Sequence, residues 1–226
     1  MVASSVSTGV RRLGLAMLLL AVPACGLSDY EKLMRDAQER EEIFKAEKDN
    51  LGKAVIIPTR KDQDDKDVPI ANVFFRPPKG IDSKPQQLND PMWRYAGDTN
   101  SKNFLSVDMA FGEDDKDFDS RVRGNYEGAL QASNNPRQIT SPGQTTPVTF
   151  DAWDFISGNV GVSINILRGG SKPVAIVYRY NKSRQETARK ILELSLQSLG
   201  VDQKASTARQ RANEKSPWKL EGAPGS

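Results

Sequence analysis

The chain has 226 residues, of which 27% are charged and 37% hydrophobic, enough for one domain with a substantial core and without evident room for two. It contains no histidine and a single cysteine, which excludes Ser-His-Asp and Cys-His catalysis, imidazole metal ligation, an intrachain disulfide and any zinc ribbon. The formal net charge is +3, but Arg11 and Arg12 fall in an N-terminal leader, and the remaining 30 basic and 29 acidic residues give no electrostatic case for nucleic-acid binding.

Residues 1–24 read as an export signal. Arg11 and Arg12 form a positive start, and Leu13 to Val22 is an uncharged apolar run. Ten helical residues span roughly 15 Å, about half the hydrocarbon core of a bilayer. Val22, Pro23 and Ala24 then lead to Cys25. This pattern resembles the bacterial lipoprotein signal, whose lipobox has an aliphatic residue at −3, a small residue at −1, and cysteine. The resemblance implies cleavage before Cys25 and acylation of its thiol, with two or three chains needed for stable membrane attachment. It further implies a cell-envelope location facing the extracytoplasmic side. Gly26 at +2, in place of aspartate, points to the outer membrane. The competing reading is an ordinary secretory signal with a chance cysteine. A twin-arginine signal fits poorly, because Leu13 and Gly14 follow the arginine pair.

Ser28-Asp29-Tyr30-Glu31 forms a capping box that opens an N-terminal helix within residues 25–52. Tyr30, Leu33, Met34, Ala37 and Phe44 fall on one stripe, and Glu31–Arg35, Asp36–Arg40 and Glu41–Lys45 are i,i+4 pairs. The helix reads either as a stalk or as an element packed on the domain. The domain itself spans residues 53–201. Its predicted elements begin with a strand at 54–57, a charged loop at 59–67, a strand at 72–76 and a loop at 79–92. A strand follows at 103–111, then a helix over 115–131 weakened by Gly124 and Gly128. Residues 133–146 read as a polar loop. Strands at 148–156, 160–167 and 174–180, joined by short turns at Ser157-Gly158-Asn159 and Gly169-Gly170, demand antiparallel pairing. A second capping box at Ser183–Glu186 opens a last helix, expected to be capped at Gly200, and residues 202–226 read as a disordered tail.

Together these elements predict an α+β fold: an antiparallel β-sheet with a C-terminal β-meander, flanked by helices, plus the N-terminal helix after the anchor. The order from Phe74 onward, with Phe74-Phe75-Arg76-Pro77-Pro78-Lys79-Gly80 as a strand running into a proline-glycine turn and Val148 to Gly200 as meander and helix, resembles the Mog1/PsbP-like fold. Ile81 stands where that group commonly has tryptophan. The resemblance implies a non-catalytic binding or assembly factor.

Candidate chemistry is sparse. Asp115, Asp117 and Asp119 have the first spacings of a calcium loop, but Ser120 and Tyr126 occupy the glycine and glutamate positions; acids at a helix start explain the cluster more simply. Asp62, Asp64, Asp65 and Asp67 read as a solvated loop. Asp151 and Asp154 fall on opposite faces of a strand, and Asp108 is expected on an exposed face. Trp93 and Tyr95 form a candidate binding surface for a sugar or an envelope protein, or else cover the edge of the core. No cofactor is indicated. The expected function is therefore a lipid-anchored extracytoplasmic binding or assembly module. The alternative is a membrane-anchored hydrolase using carboxylates or a divalent metal.

Overall fold

The computed structural model describes residues 24–89, 91–99, 101–112, 117–140, 146–168 and 172–207. The leader, Glu113 to Lys116, the Gly169-Gly170 turn and the tail beyond 207 lie outside the described residues, as does the side chain of Cys25. Two compact units meet between Lys45 and Ala46, inside the first helix, α1 (Ala24–Asn50). Ser28 lies within this helix and not at its start. In the first unit, Tyr30, Leu33 and Met34 of the apolar stripe are exposed. Among the described residues, no helix is long and apolar enough to cross a membrane.

The second unit is an α+β domain built on a seven-stranded antiparallel sheet. Its strands are β4 (Gln86–Asn89), β5 (Met92–Ala96), β6 (Phe104–Phe111), β7 (Arg137–Ile139), β8 (Val148–Ser157), β9 (Val160–Leu167) and β10 (Val174–Asn181), ordered β4-β5-β6-β10-β9-β8-β7. The meander β8-β9-β10 forms as its short turns demand, with Ser157 opposite Val160 and Leu167 opposite Val174. Alternation along each strand then builds two cores. On one face Val107, Met109, Ile176 and Tyr178 pack beneath the last helix, α3 (Gln185–Gln197), through Ala188, Ile191, Leu192 and Leu196. On the other, Ala110, Val177, Ile164 and Ile166 pack against Phe118, Val122 and Ala129.

Several local expectations are corrected. Residues 54–57 form no strand; Val55 and Ile56 donate singly to the carbonyls of Phe75 and Ser83. The charged loop at 59–67 is part of a hairpin, with β1 (Thr59–Lys61) paired to β2 (Asp67–Pro69). Its aspartates serve the turn: the Asp62 carboxylate accepts the amides of Asp64 and Lys66, each at 2.9 Å. The strand expected at 72–76 is reduced to β3 (Val73–Phe74), which pairs with β11 (Gly200–Val201), so Gly200 is a strand residue and not a helix cap. The loop expected at 79–92 contains β4. The helix expected over 115–131 is only α2 (Phe118–Arg123); the chain then proceeds in turns, and Gly128 takes φ +86°, a conformation that ends helical geometry. Ser183 makes no side-chain cap, because a 3₁₀ turn at Lys182–Arg184 leads into α3. Residues 203–207 form a further helical turn at the start of the expected tail.

One close approach locks the meander. Tyr180 lies across Gly161, and a Cβ at 161 would come within 2.1 Å of the ring. Tyr180 is itself buried against Phe104, with ring centroids 6.3 Å apart, so it has nowhere to retreat. Gly161→Ala should therefore destabilise the domain by about 1–3 kcal/mol, the usual cost of overpacking, read by chemical denaturation. Unchanged stability would show that the ring moves freely.

Candidate functional site

The site begins with a carboxylate on the side of β6 that alternation assigns to solvent. Val107, Met109 and Phe111 point to the α3 side, which sends Asp108 to the other face. That face is not open: the segment from Phe118 to Ala129 covers it, and Asp108 is completely buried. An unpaired carboxylate there would cost several kcal/mol. Arg94, directly opposite on β5, supplies the charge: its Nε and Nη2 donate to Oδ1 and Oδ2 of Asp108, both at 2.8 Å. The Tyr126 hydroxyl donates to Oδ2 at 2.8 Å.

The electrostatics follow from this triad. The hydrogen bond to Asp108 raises the Arg94 pKa above its ordinary value, against the opposing effect of burial. Burial, reinforced by the Asp108 charge and hydrogen bond, lifts the Tyr126 phenol far above the usual tyrosine range; the nearby Arg94 and Arg179 pull the other way. Tyr126 is thereby held as a neutral donor.

The segment that carries Tyr126 is stitched down by Arg123. Its guanidinium stands 4.8 Å over the Trp153 ring, donates to the Ala129 carbonyl from Nε at 3.1 Å and Nη2 at 2.7 Å, and reaches the Leu130 carbonyl at 3.0 Å. Asn125 ties the same segment to β4, accepting from Asn89 at 2.6 Å.

Between this segment and the sheet lies a cleft of about 270 Å³. Arg94 and Tyr126 line it together with Val160 and Val162 of β9. Asn125, Glu127 and Ser157 border it as well, and Arg179 enters from β10. The registers place Arg179 opposite Ser106 on one side and Val162 on the other, on the same face as Asp108. The Arg94 and Asp108 charges cancel. Among the described residues neither Arg179 nor Glu127 has an ion-pair partner.

The residues singled out from sequence fall elsewhere. Trp93 and Tyr95 lie on the α3 face of β5, because they alternate with Arg94. Tyr95 is fully buried and donates to the Ile56 carbonyl at 3.0 Å, so it presents no surface to a partner. Trp93 is half-buried against the same core. Asp151 and Asp154 do point to opposite sides: Asp151 pairs with Arg168 at 3.5 Å, and Asp154 with Arg137 at 2.7 Å. Asp119 also pairs with Arg168. Asp115 lies outside the described residues, among which no group of three or more acidic or cysteine side chains is placed to hold a metal ion.

Two tests address the triad. Arg94→Met leaves Asp108 buried without its counter-charge and should cost about 3–5 kcal/mol. Tyr126→Phe removes one hydrogen bond to a charged group and should cost about 1.5–3 kcal/mol, both read by denaturant unfolding. The second test uses pH. Burial raises the phenols of Tyr95, Tyr126, Tyr178 and Tyr180. Their stabilising effect is full below about pH 10 and declines as pH rises beyond it, because the unfolded phenols ionise first. In an absorbance titration of phenolate, these four should ionise only together with unfolding; smooth ionisation with the fold intact would contradict their placement.

No family model matches the sequence, and no curated protein matches it. Among solved structures, the chain is similar to the 1.9 Å crystal structure of the Saccharomyces cerevisiae Ran-binding protein Mog1p, at 10% identity and a TM-score of 0.36. The match covers 61% of this chain and 93% of that one, a partial structural resemblance.

Proposed function

We propose that this chain is a membrane-anchored binding module of a bacterial cell envelope. Cys25 carries the lipid, the domain faces the extracytoplasmic side, and the ligand or partner is received at the cleft beside Arg94, Tyr126 and Arg179. The observation that carries the binding half of this reading is the commitment of Asp108. Arg94 and Tyr126 engage both its oxygens, which makes it a fixed counter-charge that holds these two side chains at the cleft wall. Such an arrangement suits recognition, because polar groups held in place beforehand fix the orientation of whatever enters the cleft. The anchoring half rests on the sequence Val22-Pro23-Ala24-Cys25 after a short apolar run.

Each half has its own test. Cys25→Ser should leave the precursor uncleaved by the lipoprotein pathway and abolish labelling by a fatty-acid probe in cells; continued labelling and membrane fractionation would overturn the anchor. For the cleft, a photo-crosslinking residue at Ser157 should capture a partner or ligand in intact cells. The same residue at Glu193, exposed on α3, should not. Equal capture at both sites would count against the cleft as the binding site.

A further inference from the structure

The cleft carries a pattern of charge that narrows what it can hold. Of the four ionised side chains in it or beneath it, Arg94 and Asp108 neutralise one another. That leaves Arg179 and Glu127, of opposite sign, both lining the cleft and neither in an ion pair among the described residues. Arg179 is half-buried on a strand, where its charge is poorly screened, while Glu127 is exposed. An anion alone would meet Arg179 but also the Glu127 carboxylate, and a cation alone would meet the reverse. A ligand bearing both charges satisfies the two groups together. Near Arg179 there is a further unsatisfied polar atom. Ser106, opposite Arg179 in the sheet and two residues from Asp108, is buried, and its hydroxyl has no hydrogen-bond partner among the described residues. The rest of the lining is mixed: Asn125 and Ser157 are polar, while Val160 and Val162 give one aliphatic wall on β9. A volume of about 270 Å³ lies just below the usual range for small-molecule sites, which suits a ligand of one or two residues.

On the reading of this cleft as the binding site, we infer that it takes a small zwitterion with an apolar side chain: an amino acid or a short peptide whose carboxylate meets Arg179 and whose ammonium meets Glu127. The aliphatic side chain lies against Val160 and Val162. Arg94 and Tyr126 frame the pocket and hold its shape, and Arg179 supplies the charge that orients the ligand.

Calorimetric titration of the full chain, purified in detergent, tests this with four probes: L-leucine, N-acetyl-L-leucine, L-leucinamide and L-alanyl-L-leucine. At least one of leucine and the dipeptide should bind, and the tighter of them distinguishes a free amino acid from a peptide end. The acetylated and amidated probes, each lacking one charge, should bind at least tenfold more weakly than leucine or the dipeptide. Arg179→Gln should weaken the better zwitterion at least tenfold. Glu127→Gln should abolish the discrimination against the acetylated probe; because Glu127 is exposed, this variant serves as the test even if Arg179→Gln fails to fold. Binding of N-acetyl-leucine as tightly as the zwitterion would overturn the inference, as would the failure of both zwitterions to bind. In either case cross-linking at Ser157 decides separately whether the cleft is occupied in cells.

Discussion

A carboxylate in the middle of a sheet has to be neutralised or the sheet does not form, and Asp108 sets that condition here. It sits near the centre of β6, beneath the chain that crosses the face, and is completely buried. Its charge recruits a guanidinium from the neighbouring strand and a phenol from the covering segment. One buried charge thus links three pieces of chain: β5, β6 and the turn-rich stretch after α2. That stretch has little regular structure of its own to hold it, so the link to Asp108, together with Arg123 over Trp153 and the Asn89–Asn125 bond, fixes where it lies. The cleft exists because Tyr126 is held there.

The opposite face follows the same rule with different parts. Arg137 of β7 donates to Ser163 at 3.1 Å, to Asn165, and to Asp154 at 2.7 Å, a polar cluster near the far edge of the core under α3. Ser195 and Ser198 at the end of α3 bond to the backbone of Arg76, at 2.6 Å to its carbonyl and 3.0 Å from its amide. Each face therefore combines apolar packing with a hydrogen-bonded polar cluster. The apolar part supplies most of the favourable free energy of burial. The polar part restricts which registers are acceptable, because a slip of one residue would bury Asp108 among aliphatic side chains without Arg94.

The regular elements are legible where periodicity and turn chemistry agree. Val148 to Tyr180 alternates strongly and its links are short, so antiparallel pairing is forced. The long strand at 103–111 and the amphipathic stripe of Ala188, Ile191 and Leu192 are equally plain. The departures share a cause: local pattern cannot reveal what covers a face. Asp108 alternates with apolar residues, which normally marks the wet side of a strand, yet Phe118 and Val122 pack over that side. Tyr95 follows a long polar loop and has no strong strand pattern around it, yet it faces the core, because its neighbours on adjacent strands are not visible locally. Gly200 resembles a helix cap because glycine often is one, and the pairing with Phe74 across more than a hundred residues decides otherwise. The turns after Arg123 are signalled by Gly124 and Gly128, and they outweigh the helical spacing of Phe118, Val122 and Tyr126. Of the site, Asp108 is visible in the sequence only as the polar member of an alternating strand, and Tyr126 only through helical spacing and as a departure from a calcium-loop pattern. Arg94, Asp108 and Arg179 come together through strand pairing alone.

The functional reading depends on that assembly, since the cleft's polar groups are aimed by the triad beneath them. Hydrogen exchange on Asp108→Asn against the unaltered protein measures this most directly. Removing the charge should release Arg94 and weaken the hold on Tyr126 at once. The account predicts that amide protection falls together in residues 92–96 and 118–132, while residues 185–197 on the opposite face keep theirs. Unchanged protection in 118–132, or a uniform loss over the whole domain, would contradict the claim that one buried carboxylate organises this face and the cleft it holds.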